Sequence, residues 1–169
     1  VLEAISKGLN ATIFRIGDLS SRYDDGHFQS NINENAIYSR LKSLLEIAAV
    51  PDSILNNNLE FTPVDFASKA LVKIIWSNNG LDRIFHIYNP NMVTTKVLLN
   101  YMNLLGYNVK VISQEDFINL VKSLSTDEIN QSKISGIIND FTKNNDMIYN
   151  HIIKEDNSIT CKYLNSLGF

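Results

Sequence analysis

The sequence predicts an α/β fold with a mainly helical lobe towards its C-terminal end. Short segments rich in β-branched and aromatic residues, typical of strands, alternate with amphipathic helical segments over the first two thirds of the chain. Helical patterns dominate the last third. With 44% hydrophobic and 20% charged residues, the chain has the composition of a folded protein. We therefore expect a single folded fragment, with a strand-bearing part over 1–92 and the helical lobe over 93–169.

The elements of the first third follow from local signals. Residues 1–7 have the pattern of the last turns of a helix. Residues 11–16 are short, β-branched and aromatic, and predict a strand. Residues 17–30 are rich in Gly, Asp and Ser and predict a loop that is long enough to carry function. An apolar face at helical spacing predicts a helix over 33–49, ended by Pro51.

The later helices have clearer start signals. Thr62 is expected to cap a helix with Pro63 at its first position, and the buried face of this helix is expected to run from Phe66 to Ile75, with Trp76 also in the core. The same reasoning predicts a strand over 84–88, a helix from Thr94 or Thr95 to Leu105, a strand over 109–112, and helices that begin at Ser113, Thr126 and Thr160. The helix after Thr126 is expected to bury Ile134, Ile137, Ile138 and Phe141.

The composition excludes several classes of function. The net charge is −3, and 15 basic residues are scattered among 18 acidic ones, so we expect no nucleic-acid partner. No apolar run has the length of a membrane span, so we expect no membrane partner. Cys161 is the only cysteine, which excludes an internal disulfide and favours a reducing cytoplasm. His27 and His151 have no other ligands at a suitable spacing, so we expect no metal.

The chain lacks the local motifs of nicotinamide-dependent chemistry. A dinucleotide pyrophosphate is held by a glycine-rich turn at a helix N-terminus, and the seven glycines form no such cluster. A catalytic tyrosine needs a lysine one helical turn later, but the residue four positions before Lys7 is Glu3. The sequence therefore predicts no catalytic residue within the chain and no useful affinity of this chain alone for NADPH.

Several segments form a set of motifs in order along the chain: 11–22 with 25–31 (ATIFRIGDLSSR, DGHFQSN), 59–67 (LEFTPVDFA), 85–90 (FHIYNP), 105–107 with 113–117 (LGY, SQEDF), and 160–169 (TCKYLNSLGF). In their order and spacing, these segments resemble motifs of thioester reductase domains. Those domains are the terminal reductases of nonribosomal peptide synthetases and belong to the extended short-chain dehydrogenase group. One departure is Asp18, where the family usually has Asn; an ionised carboxylate accepts hydrogen bonds but cannot donate them.

The resemblance implies a fold and an activity. Residues 1–92 would be the end of a Rossmann-like part with substrate-side insertions, and the helical lobe would lie on the substrate side. The NADP-binding glycine motif and the catalytic Ser/Thr, Tyr and Lys would precede residue 1, so the fragment alone would be inactive. The full domain would take an acyl or peptidyl thioester from the phosphopantetheine arm of a carrier protein and release it as an aldehyde or an alcohol.

The resemblance also suggests site residues in the 17–30 loop and just beyond it. Gly17, Asp18 and Leu19 leave the C-terminal end of a strand, where ligands bind in open α/β sheets, and would lie beside the nicotinamide. The candidate substrate contacts are Arg22, His27, Phe28, Gln29 and Asn31. We expect Gly17→Val to lower turnover with little change in melting temperature.

Other polar residues have simpler interpretations. We expect Asp65 to stabilise a helix start and not to act in chemistry. His86 and Cys161 are interpreted as structural, because neither has an evident acid or base partner. Arg15, in the middle of a strand, is expected to form a partly buried ion pair.

Two alternatives remain open at this point. The chain also fits a part of another extended short-chain dehydrogenase, such as a fatty acyl reductase or a nucleotide-sugar epimerase. For a sugar nucleotide, Arg22 and Arg40 are the candidate diphosphate ligands in the predicted loop and the helix that follows it. The third possibility is a non-catalytic lobe that docks a carrier protein, although electrostatic steering of an acidic partner by this mildly acidic chain would be weak.

Overall fold

The structure, a computed structural model, describes residues 1–77, 84–126, 128–138 and 156–169. Over these residues the fold is α/β, as expected. The helices are α1 (Leu2–Ser6), α2 (Ala36–Ile47), α3 (Val64–Trp76), α4 (Thr95–Leu104), α5 (Gln114–Leu124), α6 (Glu128–Ile138) and α7 (Ser158–Ser166). The strands are β1 (Ile13–Ile16), β2 (Leu19–Ser20), β3 (Ala49–Pro51), β4 (Asn58–Leu59), β5 (Thr62–Pro63), β6 (Ile84–Ile87), β7 (Val93–Thr94) and β8 (Lys110–Ile112).

The chain forms two compact units, and each is assembled from separate stretches of sequence. The first unit contains 1–28, 60–92 and the described residues from 156 onward. The second contains 29–59 and the described residues from 93 to 138. The sequence predicted a single fragment with one division, at residue 92, whereas each unit combines stretches from both sides of that residue. Residues 29–59 lie in the second unit, and the C-terminal helix α7 lies in the first.

The first unit is built around a pair of parallel strands. β1 pairs with β6 in the register Ile13↔Ile84 to Ile16↔Ile87, and β2 pairs in parallel with β5. Parallel neighbours need a long crossover connection, which here includes α3. The core contains Phe85 from β6, three residues of one face of α3 and Leu164 of α7. Those three α3 residues are Ala67, Ala70 and Ile74.

Three expectations for the first unit are wrong. Leu19–Ser20 is a short strand inside the predicted loop. Thr62 does not cap α3; it belongs to β5, and its side chain is directed into hydrogen bonds described below. The buried face of α3 is narrower than predicted, because Ile75 is 56% exposed and Trp76 is 79% exposed. Periodicity indicates which residues share a face of a helix, but it does not show how far along the helix other elements pack against that face.

The second unit is dominated by helices packed on two short strand pairs. β3 pairs in parallel with β8, and β4 pairs antiparallel with β7. Its buried cluster unites residues from every helix of the unit and from β3: Leu44, Ala49, Val50, Leu99, Val109, Phe117, Val121, Ile134 and Ile137. Helices α2 and α6 approach closely at Gly136, whose N–H donates to the Ser43 hydroxyl at 3.1 Å. A Cβ atom at Gly136 would lie 2.6 Å from the backbone nitrogen of Arg40, so the crossing requires glycine.

Local start signals in the second unit were predicted well, and helix lengths less well. Thr94 caps α4 by accepting the Val97 amide at 3.3 Å, and Ser113 caps α5 by accepting the Asp116 amide at 3.1 Å, as expected. Helix α2 is shorter than the predicted 33–49. It ends at Ile47 because Ala48 is left-handed, with φ 54°, and Ala49–Pro51 continues as a buried strand.

Some expectations about the last helices remain outside the described residues. Ile134 and Ile137 are buried as predicted, whereas Ile138 is 43% exposed. Phe141 and His151 lie outside the described residues. No helix in the described part of the chain is both long and apolar enough to cross a bilayer.

Candidate functional site

The candidate cofactor segment lies where β1 and β6 end. Gly17 follows β1, and its N–H donates to the Ile87 carbonyl at the end of β6, at 2.9 Å. The Asp18 carbonyl accepts the Thr62 amide at 2.9 Å, which joins the segment to β5. Because the two strands are parallel, their C-terminal ends meet at one edge. This is the edge at which α/β sheets bind ligands.

Glu60 organises this edge through both oxygens of its carboxylate. One oxygen, Oε2, accepts the backbone N–H of Asp18. The other, Oε1, accepts the Thr62 hydroxyl and the backbone N–H of Asn89, the latter at 3.1 Å. The Asn89 N–H is shared with Thr62 Oγ1 at 2.9 Å, and the Asn89 side-chain amide donates to the Phe61 carbonyl at 3.0 Å. These bonds connect the residues that follow β1 and β6 with β5.

Gly17 allows this arrangement because it has no side chain. A Cβ at this position would overlap the Glu60 carboxylate and would lie 2.7 Å from Cβ of Tyr88. The close approach is therefore required by the chain itself. The sequence predicted little change in melting temperature for Gly17→Val; the collision within the fold instead leads us to expect a lower melting temperature.

The loop after β2 is closed by its own hydrogen bonds. The Arg22 N–H donates to the His27 carbonyl at 2.9 Å, and the Gly26 N–H donates to the Arg22 carbonyl at 3.0 Å, with Gly26 at φ +70°. The Arg22 guanidinium forms an ion pair with Asp25. The hydrogen bond from the Arg22 side chain is the largest cause that lowers the pKa of Asp25 to about 2, and the hydrogen bond from the His27 amide is the second. The charge of Arg22, a predicted substrate contact, is thus already engaged within the turn.

Asp65 ties this loop to the start of α3. Its Oδ1 accepts the Tyr23 N–H at 3.0 Å, and Tyr23 packs edge-on against Phe66, with 5.5 Å between ring centroids. The Tyr23 amide is the largest cause that lowers the pKa of Asp65; the first-turn amides of α3 and Lys69 add to it. The second oxygen, Oδ2, is shielded from solvent and has no hydrogen-bond partner among the described residues. Asp65 lies in the first turn of α3, as predicted, but its tie to Tyr23 was not foreseen.

The other predicted substrate contacts fall in different places. His27 is exposed, with its amide bonded to Asp25 at 2.9 Å, and Phe28 is half-buried; both lie in the first unit. Gln29 and Asn31 are exposed residues of the second unit. The Asn31 side-chain amide donates to Glu34 at 2.7 Å.

His86, Cys161 and Arg15 show no catalytic arrangement among the described residues. The His86 backbone N–H donates to the buried Thr160 hydroxyl at 2.9 Å, which fixes α7 to β6. The Cys161 thiol is half-buried and free. Arg15 is exposed, contrary to the expected partial burial. The described residues contain no cluster of three or more His, Cys, Asp or Glu side chains suited to a metal.

A separate groove of about 570 Å³ lies at the far end of α3. It is lined by Trp76, Val72, Lys69, Lys73, Ser77, Leu167 and Phe169. None of the predicted site residues contributes to it. Trp76 is therefore a surface residue of this groove and not part of the core.

Sequence reasoning missed Glu60, Thr62 and Asn89 as a connected group. Glu60 and Thr62 are two positions apart, but their contacts with Asn89 span 29 and 27 positions and that of Glu60 with Asp18 spans 42, so no local pattern reveals the group. The available signal was that a charged residue stands two positions before the Thr-Pro-Val-Asp segment, and an Asn-Pro pair follows the next strand.

Comparisons with known proteins show that the chain is similar to reductases. The chain is 30% identical over 122 residues to the glycine betaine reductase of Emericella nidulans, a match that includes 71% of this chain and 9% of that protein. The chain thus spans a small part of the curated relative. No family model matches the sequence.

Solved structures agree in fold over the whole chain. A thiolation-reductase di-domain of an archaeal nonribosomal peptide synthetase aligns with 100% of this chain and 34% of its own, at 26% identity and a TM-score of 0.73. The terminal reductase domain of the myxalamid biosynthetic pathway shows the same fold, at 22% identity and a TM-score of 0.79, over 99% of this chain and 41% of its own. The chain belongs to the family of terminal reductase domains of nonribosomal peptide synthetases and corresponds to the C-terminal portion of their extended short-chain dehydrogenase fold.

Proposed function

We propose that this chain is the substrate-side part of an NADPH-dependent reductase that releases an acyl or peptidyl thioester from a carrier protein as an aldehyde or an alcohol. The observation that carries this proposal is the edge at the C-terminal ends of β1 and β6. There, Gly17 and Asp18 are held in place by Glu60 in a chain similar to reductase domains. We place the protein in the cytoplasm.

The nicotinamide end of the cofactor is proposed to lie against Gly17, Asp18 and Leu19. Asp18 and Leu19 are exposed at the strand ends, so a planar ring can approach them. The backbone N–H of Asp18 is already bound to Glu60, so this amide helps to shape the surface and is not offered to the cofactor. When bound, NADPH would supply the hydride that reduces the thioester carbonyl. The residues of this chain orient the ring, and those that bind the pyrophosphate and transfer protons are proposed to belong to a preceding part of the protein.

The loop after β2 is proposed to contact the substrate. Its closed hydrogen bonds hold Arg22 and His27 in a fixed turn, and Asp65 anchors that turn through Tyr23. Phe28, Gln29 and Asn31 follow directly in sequence and complete the proposed set of contacts. A turn that is ordered before binding loses little conformational freedom when the phosphopantetheine arm and its acyl group arrive.

The ion pair of Arg22 with Asp25 argues against a sugar-nucleotide substrate. A diphosphate would need basic residues that are free to bind it, and the Arg22 guanidinium is paired with Asp25 in the same turn.

A docking lobe without a catalytic role is favoured by one observation, the Trp76 groove, whose lining includes Lys69 and Lys73. That groove lies apart from the strand ends described above.

The test uses the full-length protein with NADPH and a carrier protein that bears an acyl-loaded phosphopantetheine arm. We expect NADPH oxidation together with release of an aldehyde or alcohol, detected by mass spectrometry. The matched control is the same carrier protein without its phosphopantetheine arm, which should give no turnover. NADPH oxidation with a nucleotide sugar but not with the loaded carrier would contradict the proposal.

A further inference from the structure

Glu60 joins three segments of the first unit through a single side chain. Its carboxylate accepts hydrogen bonds from Asp18, Thr62 and Asn89. Asp18 lies two residues after the end of β1, Thr62 belongs to β5, and Asn89 lies two residues after the end of β6. These contacts lie 42, 2 and 29 positions from Glu60 in sequence, so this one side chain fixes long-range geometry that local structure cannot set.

The same contacts occupy both oxygens of the Glu60 carboxylate. Three donors of the chain point at these oxygens: the Asp18 amide, the Asn89 amide and the Thr62 hydroxyl. The carboxylate therefore serves as a hydrogen-bond acceptor within the fold. The side chain is therefore directed towards the fold and acts through what it holds.

What Glu60 holds is the backbone at Gly17 and Asp18. Gly17 lies so close to the carboxylate and to Tyr88 that an added Cβ would force a neighbour to shift, and the Asp18 amide is bound to Oε2. The Asp18 carbonyl is fixed from the other side by the Thr62 amide at 2.9 Å. Loss of the carboxylate would remove the acceptor of the Asp18 amide, leave the Asp18 carbonyl bound to Thr62, and open space beside Gly17.

We propose that Glu60 is a positioning residue that fixes the Gly17–Asp18 backbone in the shape against which the nicotinamide binds. The inference rests on the proposed function and adds to it a residue that acts through Gly17 and Asp18. A displacement of about 1 Å at a reacting centre can lower the rate on the order of a hundredfold, so a loosened backbone should be visible in kinetics.

Two substitutions separate the role of the anchor from that of the charge. Glu60→Ala removes the acceptor of the Asp18 amide. Glu60→Gln keeps an amide oxygen for that amide, and its NH₂ group can donate to Thr62 Oγ1, which remains an acceptor for Asn89. The matched control is Asp52→Ala in the second unit. The Asp52 carboxylate accepts the Gln114 backbone amide at 3.1 Å, which is the same kind of hydrogen bond as that from the Asp18 amide to Glu60.

The experiment measures three properties of the full-length protein: the melting temperature, amide hydrogen exchange in peptides that contain Asp18 and Asn89, and kcat and KM for NADPH with the loaded carrier protein. For Glu60→Ala we expect faster exchange at Asp18 and a fall in kcat/KM of about ten- to a hundredfold. Glu60→Gln should keep the Asp18 exchange rate and most of the turnover. Asp52→Ala should lower the melting temperature and leave kcat unchanged.

The outcomes separate the inference from the proposed function. If the wild type reduces the loaded carrier and folded Glu60→Ala has unchanged kinetics, the role of Glu60 is overturned and the proposed function stands. If the wild type does not reduce it, the proposed function fails, and the positioning of a nicotinamide by Glu60 fails with it. If Glu60→Ala does not fold, Glu60→Gln decides: a loss of turnover without faster exchange at Asp18 overturns the inference.

Discussion

Among the described residues, each unit of the chain contains one glycine at which an added Cβ would collide with its neighbours, and the two sites differ in what surrounds the glycine. At Gly17, in the first unit, a Cβ would meet the end of the Glu60 side chain and Cβ of Tyr88. At Gly136, in the second unit, it would meet the backbone of α2 at Ser39 and Arg40. A carboxylate at the end of a side chain can rotate away, whereas a packed helix backbone must be displaced as a whole.

This difference indicates how each unit obtains its shape. The first unit sets the geometry of its strand ends with hydrogen bonds to a charged side chain, which a few rotations can change. The second unit sets its geometry by close helix packing over a buried apolar cluster.

The largest effect should come from emptying either core. Phe117 in the second unit and Phe85 in the first are both 0% exposed, and Phe→Ala at such sites costs about 3–5 kcal/mol of unfolding free energy. We expect the larger loss at Phe117, whose described buried cluster is the larger of the two. Chemical denaturation measures both losses, with the 44% exposed Phe66→Ala as control. A loss at Phe66 equal to that at Phe85 would show that burial does not decide the cost.

Gly136→Ala should be the most damaging of the glycine substitutions. The added methyl group must separate α2 from α6, because its neighbours are backbone atoms, and overpacking of this kind costs about 3 kcal/mol. The control is Ser135→Ala, at the exposed neighbouring position of the same helix. If Gly136→Ala unfolds at the same denaturant concentration as the wild type, the close crossing is not a requirement of the fold.

Gly17→Ala should destabilise less, by about 1–2 kcal/mol, because Glu60 can move aside while Tyr88 Cβ remains in the way. A double-mutant cycle with Glu60→Ala sharpens the test. Because the two residues touch, the double variant should lose less stability than the sum of the single losses. Strictly additive losses, measured by denaturation, would mean that Glu60 does not confine Gly17.

Asp65→Ala should lower the melting temperature by removing the acceptor of the Tyr23 amide and a negative charge at the start of α3. Asp65→Asn retains an acceptor oxygen and should lose less. In the full-length protein with saturating loaded carrier protein, turnover per folded molecule should stay close to that of the wild type, because a loosened loop should affect KM for the carrier and not the chemical step. The assignment fails if Asp65→Ala abolishes turnover while the thermal melt shows a folded protein.

The smallest effect should be a pH dependence of the loop after β2. The pKa of Asp25 is lowered from 3.8 to about 2 in the folded chain, chiefly by the Arg22 hydrogen bond. A lowered folded-state pKa contributes stability that is present above pH 3.8 and is lost as the pH falls towards 2. Melting curves across this window should show the loss in the wild type. Asp25→Asn and Arg22→Gln should both reduce it; a loss of full size in either variant would contradict the assignment.

The sequence predicted elements whose signals are local. The caps at Thr94 and Ser113 were correct because each accepts an amide three residues later, which short-range patterns report. Leu19–Ser20 was missed because its partner strand lies 43 positions away, at Thr62–Pro63. The same limit explains Thr62: in isolation it resembles a helix cap, but distant Asn89 determines its actual hydrogen bonds.

For the candidate site, the sequence predicted its place at the end of β1 but not the contacts that hold it together. The strand pattern and its turn correctly placed Gly17 at the end of β1, since the end of a strand can be read from residue types. What holds Gly17 there could not be predicted, because the register of β1 against β6 and the position of Glu60 emerge only from pairing across the fold. The exposure of Trp76 was missed for a related reason: the hydrophobicity of a side chain does not show whether other residues of the fold pack against it.

The attachment of α7 to β6 also has a consequence for folding on the ribosome. Thr160 bonds to His86 across 74 positions of sequence, and Leu164 joins the cluster that covers Phe85. At about 5–20 residues per second, synthesis of that intervening stretch takes on the order of 4–15 s. During this interval β6 can pack against α3 but not against α7, so part of its apolar face is open to chaperones or to another nascent chain. The first unit is therefore expected to complete its folding late, after α7 has left the exit tunnel.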